Sequence, residues 1–416
     1  MRARTVIAVS VLLAPLTLCG CSGGSGQETS VDAATLVSVS PAAPAKGPAK
    51  GEAAPDVPVV VTAVHGTLTD VTVTTADGRH LGGSLAADDR SWHSDGTLSA
   101  GQHYVVRVSA DNGDGGRGST VDSFSTSPAP EALTVELTPG DHAVYGVGEP
   151  ITAALSLPVH DPAARKVVES GLTVSSSPSV TGSWYWVDDR TLHFRPEGYW
   201  PAHAAISASY DLSGRHVDGD VYGGEPSRIS FSTGDRMLAY TDAGSDYMTV
   251  YRNGESIRSI PITTGKPGFS TRSGIKVVLE QAPVVFMNSS TVGIAADSSD
   301  AYHKDVAWDT RVTWSGEYVH AAPWSVGEQG VANVSHGCTG MSTGNAHWFY
   351  DTFRRGDLVQ VVNSYGHQME HFGNGYGDWN ISWSDWQQGS ALHQVVQTSP
   401  VSARPETPVG LLRPEA

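Results

Sequence analysis

Two short segments of this chain carry residue types that can do chemistry together, His320-Ala321-Ala322-Pro323-Trp324 and Ser335-His336-Gly337-Cys338. A thiol becomes an effective nucleophile when a nearby imidazole takes its proton. Two imidazoles are close enough in sequence to serve. His336 sits two positions from Cys338, and on an extended or turning backbone its ring cannot readily face the same sulfur without strain. His320 lies eighteen residues upstream, beyond a Gly-containing loop, and can face Cys338 from a neighbouring strand. His320 is therefore assigned as the base. Gly337 permits a tight turn that leaves the N–H groups of His336, Gly337 and Cys338 free to converge on one oxyanion. A zinc site built from His320, His336 and Cys338 is the alternative. His-x-Cys spacing strains a tetrahedral site, and no further Cys or clear carboxylate ligand lies close by, so no metal is expected.

The remaining cysteines sharpen this reading. Arg2 and Arg4 precede a short apolar stretch, Val6 to Leu18, too short to span a membrane. It ends in Leu18-Cys19-Gly20-Cys21, which resembles a bacterial lipobox. Residues 1–20 then read as a cleaved signal, with Cys21 lipidated and holding the chain to the outer face of the cytoplasmic membrane. An ordinary cleaved signal peptide is the alternative. Either way Cys338 is left without a disulfide partner in an oxidising compartment, which invites a chemical explanation.

The elements that position these residues are mostly strands. The chain of 416 residues holds 46 Gly and 24 Pro with only 17% charged residues, a composition of short strands and turns. Its net charge of −17 with no basic stripe argues against nucleic acid as a partner. Residues 21–54, rich in Ala, Pro, Gly and Ser, read as a disordered linker. Two segments then look like repeats. Asp88-Asp89-Arg90 with His93 recurs as Asp188-Asp189-Arg190 with His193, and Phe124-Ser125-Thr126 recurs as Phe231-Ser232-Thr233. Alternating runs at Val59–Val64, Tyr104–Ala110 and Ile206–Leu212 read as strands of immunoglobulin-like sandwiches over 55–127 and 128–234. The recurrent histidines read as structural, and Asp218, Asp220 and Glu225 as solvated turn residues.

From Asp235 the texture changes. Asn253-Gly254 between two strand-like runs signals a hairpin. Further strands are expected at Lys276–Glu280, Val284–Met287, Arg311–Trp314 and Leu358–Asn363, with one helix over Thr343–Arg355. The domain is thus 235–363, mainly β with a few helices. Trp379, Trp383 and Trp386 fit one helical face of a subdomain over 364–396, read as packing onto the catalytic domain. Residues 397–416 read as a flexible tail.

Ser335-His336-Gly337-Cys338 with His320 upstream resembles the signature of the L,D-transpeptidase family, whose catalytic fold is of the YkuD type. Tyr318-Val319-His320-Ala321-Ala322-Pro323-Trp324-Ser325-Val326-Gly327, Asn345-Ala346-His347-Trp348-Phe349-Tyr350 and Gly377-Asp378-Trp379-Asn380 resemble actinobacterial lipid-anchored members. The likeness runs from about residue 130 to 391. It implies that Cys338 attacks the carbonyl of the third residue of a peptidoglycan tetrapeptide stem and expels D-Ala. A side-chain amine of an acceptor stem then resolves the acyl-enzyme into a 3→3 cross-link. It implies a thiolate held by His320 as an ion pair, an imidazole oriented by the carbonyl of Ala321, and Ser335, His336 and Gly337 in the oxyanion and substrate-contacting loop. Met287, Tyr302, Ser315, Gly316 and Trp324 would line the substrate cleft under a mobile flap. Acylation by carbapenems is implied, and no cofactor is required. Gly340 departs from the Asn or Arg usual two residues after the cysteine, removing a side chain expected to contact the donor stem. Hydrolysis of the acyl-enzyme, giving a carboxypeptidase, is the rival within enzymes. A wall-binding adaptor with a decayed site is the rival outside them.

Overall fold

A computed structural model of the chain describes residues 29–41 and 52–401. Cys21 and the signal segment at 1–20 lie outside the described residues, as does most of the tail. The architecture is two sandwiches followed by a β-rich domain, mostly strand with few helices.

The first sandwich pairs Pro58–Ala63 and Ser91–Thr97 in one sheet with His103–Asp111 and Gly116–Thr126 in the other. His103–Asp111 alternates buried and exposed side chains, sending Tyr104, Val106 and Val108 inward against Val59, Val61 and Trp92. The segment expected to be linker is corrected here. Val37–Ser40 pairs antiparallel with Pro58–Ala63, and Thr29–Ser30 pairs with Gly116–Thr126. The physical reason is the Val-Ser-Val-Ser alternation at 37–40, a period-two pattern that the small-residue composition around it obscures.

The second sandwich packs Trp184, Phe194, Trp200, Tyr210 and Phe231 into a core that also takes in Val277 and Leu358 from the following domain. One helix, α1 (Pro162–Ser170), starts on Asp161, whose carboxylate accepts from the N–H groups of Ala163 and Ala164. The repeated histidines diverge. His93 is exposed, while His193 is buried and donates from Nδ1 to Asp378 at 2.6 Å. Among the described residues no group of His, Cys, Asp or Glu is placed to hold a metal.

The third domain has two sheets. The first runs β3-β2-β1-β9-β4, where β1 is Met237–Asp242, β2 Tyr247–Arg252, β3 Glu255–Pro261, β4 Gly274–Val277 and β9 Leu358–Val362. Asn253 and Gly254 both have positive φ, as the two-residue hairpin between β2 and β3 requires. The second sheet runs β5-β6-β7-β8, where β5 is Glu280–Asn288, β6 His303–Arg311, β7 Tyr318–Ala321 and β8 Thr339–Met341. Val312–Trp314, expected in a strand, lies beyond the end of β6. Helix α2 (Thr343–Thr352) is capped by Ser342 and sends Ala346 and Phe349 into the core. It ends three residues before the expected Arg355, because the backbone turns extended at Phe353 and the Arg354 N–H goes to the Asp357 carboxylate at 2.8 Å. Arg355 pairs with Glu149 of the second sandwich at 2.8 Å.

The tryptophans do not form one helical face. Trp379 sits on a 3-10 turn (Asp378–Asn380), whereas Trp383 and Trp386 lie on α3 (Trp383–Gln388). All three gather around Arg195 of the second sandwich, at 5.1, 5.5 and 4.5 Å from its guanidinium carbon. Helix α3 therefore packs on the sandwich, while the rest of the subdomain does meet the catalytic domain. The Asn380 side chain accepts from the Ile275 N–H and donates to the Ile275 carbonyl, both at 2.8 Å, and Glu370 pairs with Arg272 at 3.0 Å. The chain then returns, pairing Val396–Gln397 with Thr181–Trp186, so Gln397 and Thr398, expected in the tail, are held on the sandwich.

Candidate active site

Cys338 and His320 are brought together by the parallel pairing of β7 with β8, in which Val319 faces Thr339 and His320 faces Gly340. Cys338 is the residue immediately before β8, and both side chains line one cavity. The His320 Nδ1–H donates to the Ala321 carbonyl at 2.8 Å, which leaves Nε2 unprotonated in the neutral ring. Trp324 stacks near the ring, with centroids 6.0 Å apart, and Lys304 caps the Trp324 face at 4.1 Å.

The loop before the cysteine is fixed by hydroxyls. Ser335 Oγ accepts from the Gly337 N–H at 3.1 Å and donates to the Cys338 carbonyl at 2.6 Å. Thr271 Oγ1 donates to the Gly337 carbonyl at 2.8 Å and accepts from the Gly265 N–H. Gly337 has φ +121°, a conformation that side-chain-bearing residues rarely adopt. The expectation of three free N–H groups is corrected: Gly337 spends its N–H on Ser335, which leaves those of His336 and Cys338 for an oxyanion.

Electrostatics around the pair oppose a resting ion pair. Burial pushes the Cys338 thiol up to about 12, and Glu317 and Asp309 add to this against the Tyr318 N–H and the Lys276 ammonium. The Cys338 S–H points at the Gly316 carbonyl, 3.5 Å away. Burial pulls His320 down to about 4, and Lys304 adds to that. Both shifts disfavour the thiolate–imidazolium state that the resemblance implies and favour a neutral thiol beside a neutral imidazole. Behind the cysteine, the fully buried Lys276 Nζ meets Glu317 at 2.5 Å, and Arg272 meets Glu317 at 3.5 Å.

The residues expected to line the substrate cleft are distributed over two adjoining cavities. Met287, Lys304, Trp324 and Gly340 line the one that contains His320. Ser315, Gly316, Arg272 and Glu317 line the other. Tyr302, His336 and Cys338 border both. Gly340 is not an emptied side-chain pocket. A Cβ there would lie 2.9 Å from the Ala322 Cβ and 3.1 Å from the Thr263 Cγ2.

Thr271, Lys304, Glu317, Lys276 and Asp309 escaped the sequence reading. None has a local spacing that marks it: Lys304 and Asp309 come from β6, Lys276 from β4, and Thr271 and Glu317 from separate loops.

A half-buried thiol just before β8 and an imidazole on the neighbouring β7, with loop N–H groups alongside, define a cysteine acyl-transfer site on a β-rich scaffold. Residues 238–361 match the family described as the L,D-transpeptidase catalytic domain, and residues 50–216 match the bacterial Ig domain family. The chain is similar to L,D-transpeptidase 2 of Mycobacterium tuberculosis, 37% identical over 81% of this chain and 81% of that protein. It is also similar to L,D-transpeptidase 1 of the same species, 37% identical over 56% of this chain and 86% of that protein. A solved L,D-transpeptidase in complex with imipenem is 35% identical, covers 56% of this chain and 99% of its own, and superposes with a TM-score of 0.48. This chain belongs to the L,D-transpeptidase family.

Proposed function

We propose that the chain is a peptidoglycan L,D-transpeptidase in which Cys338 is the nucleophile and His320 the base. As sulfur attacks the carbonyl of the third stem residue, the thiol proton passes to His320 Nε2, and the His336 and Cys338 N–H groups stabilise the oxyanion. Collapse breaks the C–N bond, and the D-Ala nitrogen leaves with the proton held by His320. The thioester is then attacked by a side-chain amine of a second stem. His320 takes the amine proton, the C–S bond breaks, an amide forms, and the thiolate is reprotonated. One amide is exchanged for another, so no cofactor is needed.

The observation that carries transfer rather than hydrolysis is the meeting of two cavities at Cys338, which gives a donor and an acceptor separate approaches to one sulfur. Incubating the enzyme with a defined tetrapeptide and resolving products by mass spectrometry tests this. A 3→3 dimer absent from Cys338→Ala supports it, and tripeptide alone overturns it. Lipidation of Cys21, placing the enzyme outside the cytoplasmic membrane and facing the wall, belongs to the same proposal. It rests on the Leu18-Cys19-Gly20-Cys21 motif. A membrane-fraction protein that becomes soluble in Cys21→Ala would support it, and unchanged membrane association would not.

A further inference from the structure

The wall between the two cavities is made of side chains that are themselves held from outside the site. Tyr302 and His336 border both cavities with Cys338, and their rings lie 5.2 Å apart. Tyr302 ends the excursion that leaves β5 at Asn288 and returns into β6 at His303. Its backbone is tied to the base of that excursion by Ser289, whose N–H donates to the Tyr302 carbonyl at 3.0 Å. His336 belongs to the nucleophile loop. One carboxylate joins the two: Asp300, two residues before Tyr302, accepts from His336 Nε2 at 3.2 Å. The same carboxylate oxygen accepts from the Lys266 ammonium, which comes from a third segment and lies 5.4 Å over the Phe269 ring. Phe269 in turn meets the His336 ring edge-on at 4.8 Å. Lys266 and His336 hold the Asp300 carboxyl below the ordinary carboxylate range, so it stays ionised as an acceptor near neutrality.

We propose that Asp300 is a positioning residue that decides whether the acyl-enzyme is resolved by an amine or by water. It does so by holding the Tyr302–His336 partition in place. This deepens the transpeptidase reading and rests on it. After the first half-reaction the leaving D-Ala vacates one side of Cys338. With the partition latched, the thioester faces the second cavity, where Arg272, Glu317 and Gly316 can order an incoming stem. With the latch cut, Tyr302 and His336 are free to swing, the cavities merge, and bulk water reaches the thioester carbonyl. Attack by water forms the carboxylate and breaks the C–S bond, with one water proton passing to sulfur and the other released to solvent, so the enzyme becomes a carboxypeptidase. Asp300 touches neither substrate nor sulfur in this scheme. Its effect appears in how products divide, not in whether Cys338 reacts.

The test compares wild type, Asp300→Asn and Asp300→Glu on one tetrapeptide donor with saturating acceptor, reading the molar ratio of tripeptide to 3→3 dimer. Single-turnover acylation by a carbapenem is followed by intact mass in parallel. Asp300→Asn is expected to raise the tripeptide-to-dimer ratio at least fivefold while the acylation rate changes less than the ratio does. Asp300→Glu, which keeps the charge on a longer stem, should restore the ratio at least halfway. A ratio equal to wild type, or a loss of acylation and of both products in the same proportion, overturns the latch. Wild-type enzyme that makes dimer while the variant ratio stays put leaves the transpeptidase reading standing and removes only the latch. Wild-type enzyme that makes tripeptide alone removes both.

Discussion

Ionisation of the nucleophile offers the most demanding test of this site. With the Cys338 thiol pushed up to about 12 and His320 pulled down to about 4, the free enzyme carries a neutral pair across the working pH range. At pH 7 a group titrating near 12 is ionised in roughly one molecule in 10⁵, against a few per cent for an ordinary thiol near 8.5. Alkylation by iodoacetamide, which consumes thiolate without help from the site, should therefore run about a few thousand-fold slower than for a free thiol. Its logarithm should climb with pH at a slope of about one from pH 6 to 10, with no plateau. Acylation by a tetrapeptide or a carbapenem should behave differently, because His320 takes the proton during attack. The acid limb of that rate should fall near pH 4, where the imidazole begins to be protonated, and not near 6.5. A flat alkylation rate below pH 7 that drops only in strong acid would mean a persistent thiolate–imidazolium pair, and the argument from burial would fail.

Asp309 is fully buried, and that burial raises its carboxyl to about 7 against the opposing pull of the Val285 N–H. A folded value above the unfolded one of 3.8 means this group lowers stability as pH rises from about 4 to about 7. Asp309→Asn should raise the urea midpoint at pH 8 and leave it nearly unchanged at pH 4, a difference of up to a few kcal/mol; equal shifts at both pH values would contradict the assignment. Thr271→Val removes the donor to the Gly337 carbonyl and should lower the acylation rate about ten- to a hundredfold in stopped-flow measurements. It should also cost about 1–3 kcal/mol of stability, and wild-type acylation would show that the loop holds itself. Gly340→Asn drives a Cβ against Ala322 and Thr263 and should cost about 1–3 kcal/mol by denaturant unfolding. A stability equal to wild type would mean those neighbours yield freely. Arg355→Met leaves the fully buried Glu149 carboxylate unpaired and should destabilise by about 3–5 kcal/mol near pH 8, with a smaller loss at pH 5, where Glu149, raised to about 7, is protonated.

Much of this molecule is readable from local pattern. The Asn253-Gly254 hairpin and the helix from Thr343 follow from residue types a few positions apart, and the 18-residue spacing of His320 from Cys338 is enough to suggest neighbouring strands. What escaped depends on groups that meet only after folding. Lys276 and Glu317 are forty-one residues apart and form a buried pair because β4 and the loop before β7 converge. Asp300 and His336 are thirty-six apart, and no spacing rule joins a flap carboxylate to a nucleophile loop. The division into two cavities is likewise a product of ring placement. The strand at Val37–Ser40 is a different kind of miss: its alternation was present, but composition outweighed periodicity in a stretch of small residues.

The second sandwich shares its interior with Val277 and Leu358, receives the Trp379 indole N–H on the Gly148 carbonyl at 2.9 Å, and takes back the chain at Val396–Gln397. Topologically the transpeptidase unit is a guest spliced into its host, entering and leaving through the same sandwich. Cutting the gene at residue 235 would therefore tear apolar surface open on both sides, and the smallest piece expected to keep its shape begins near Glu131 and ends after Thr398.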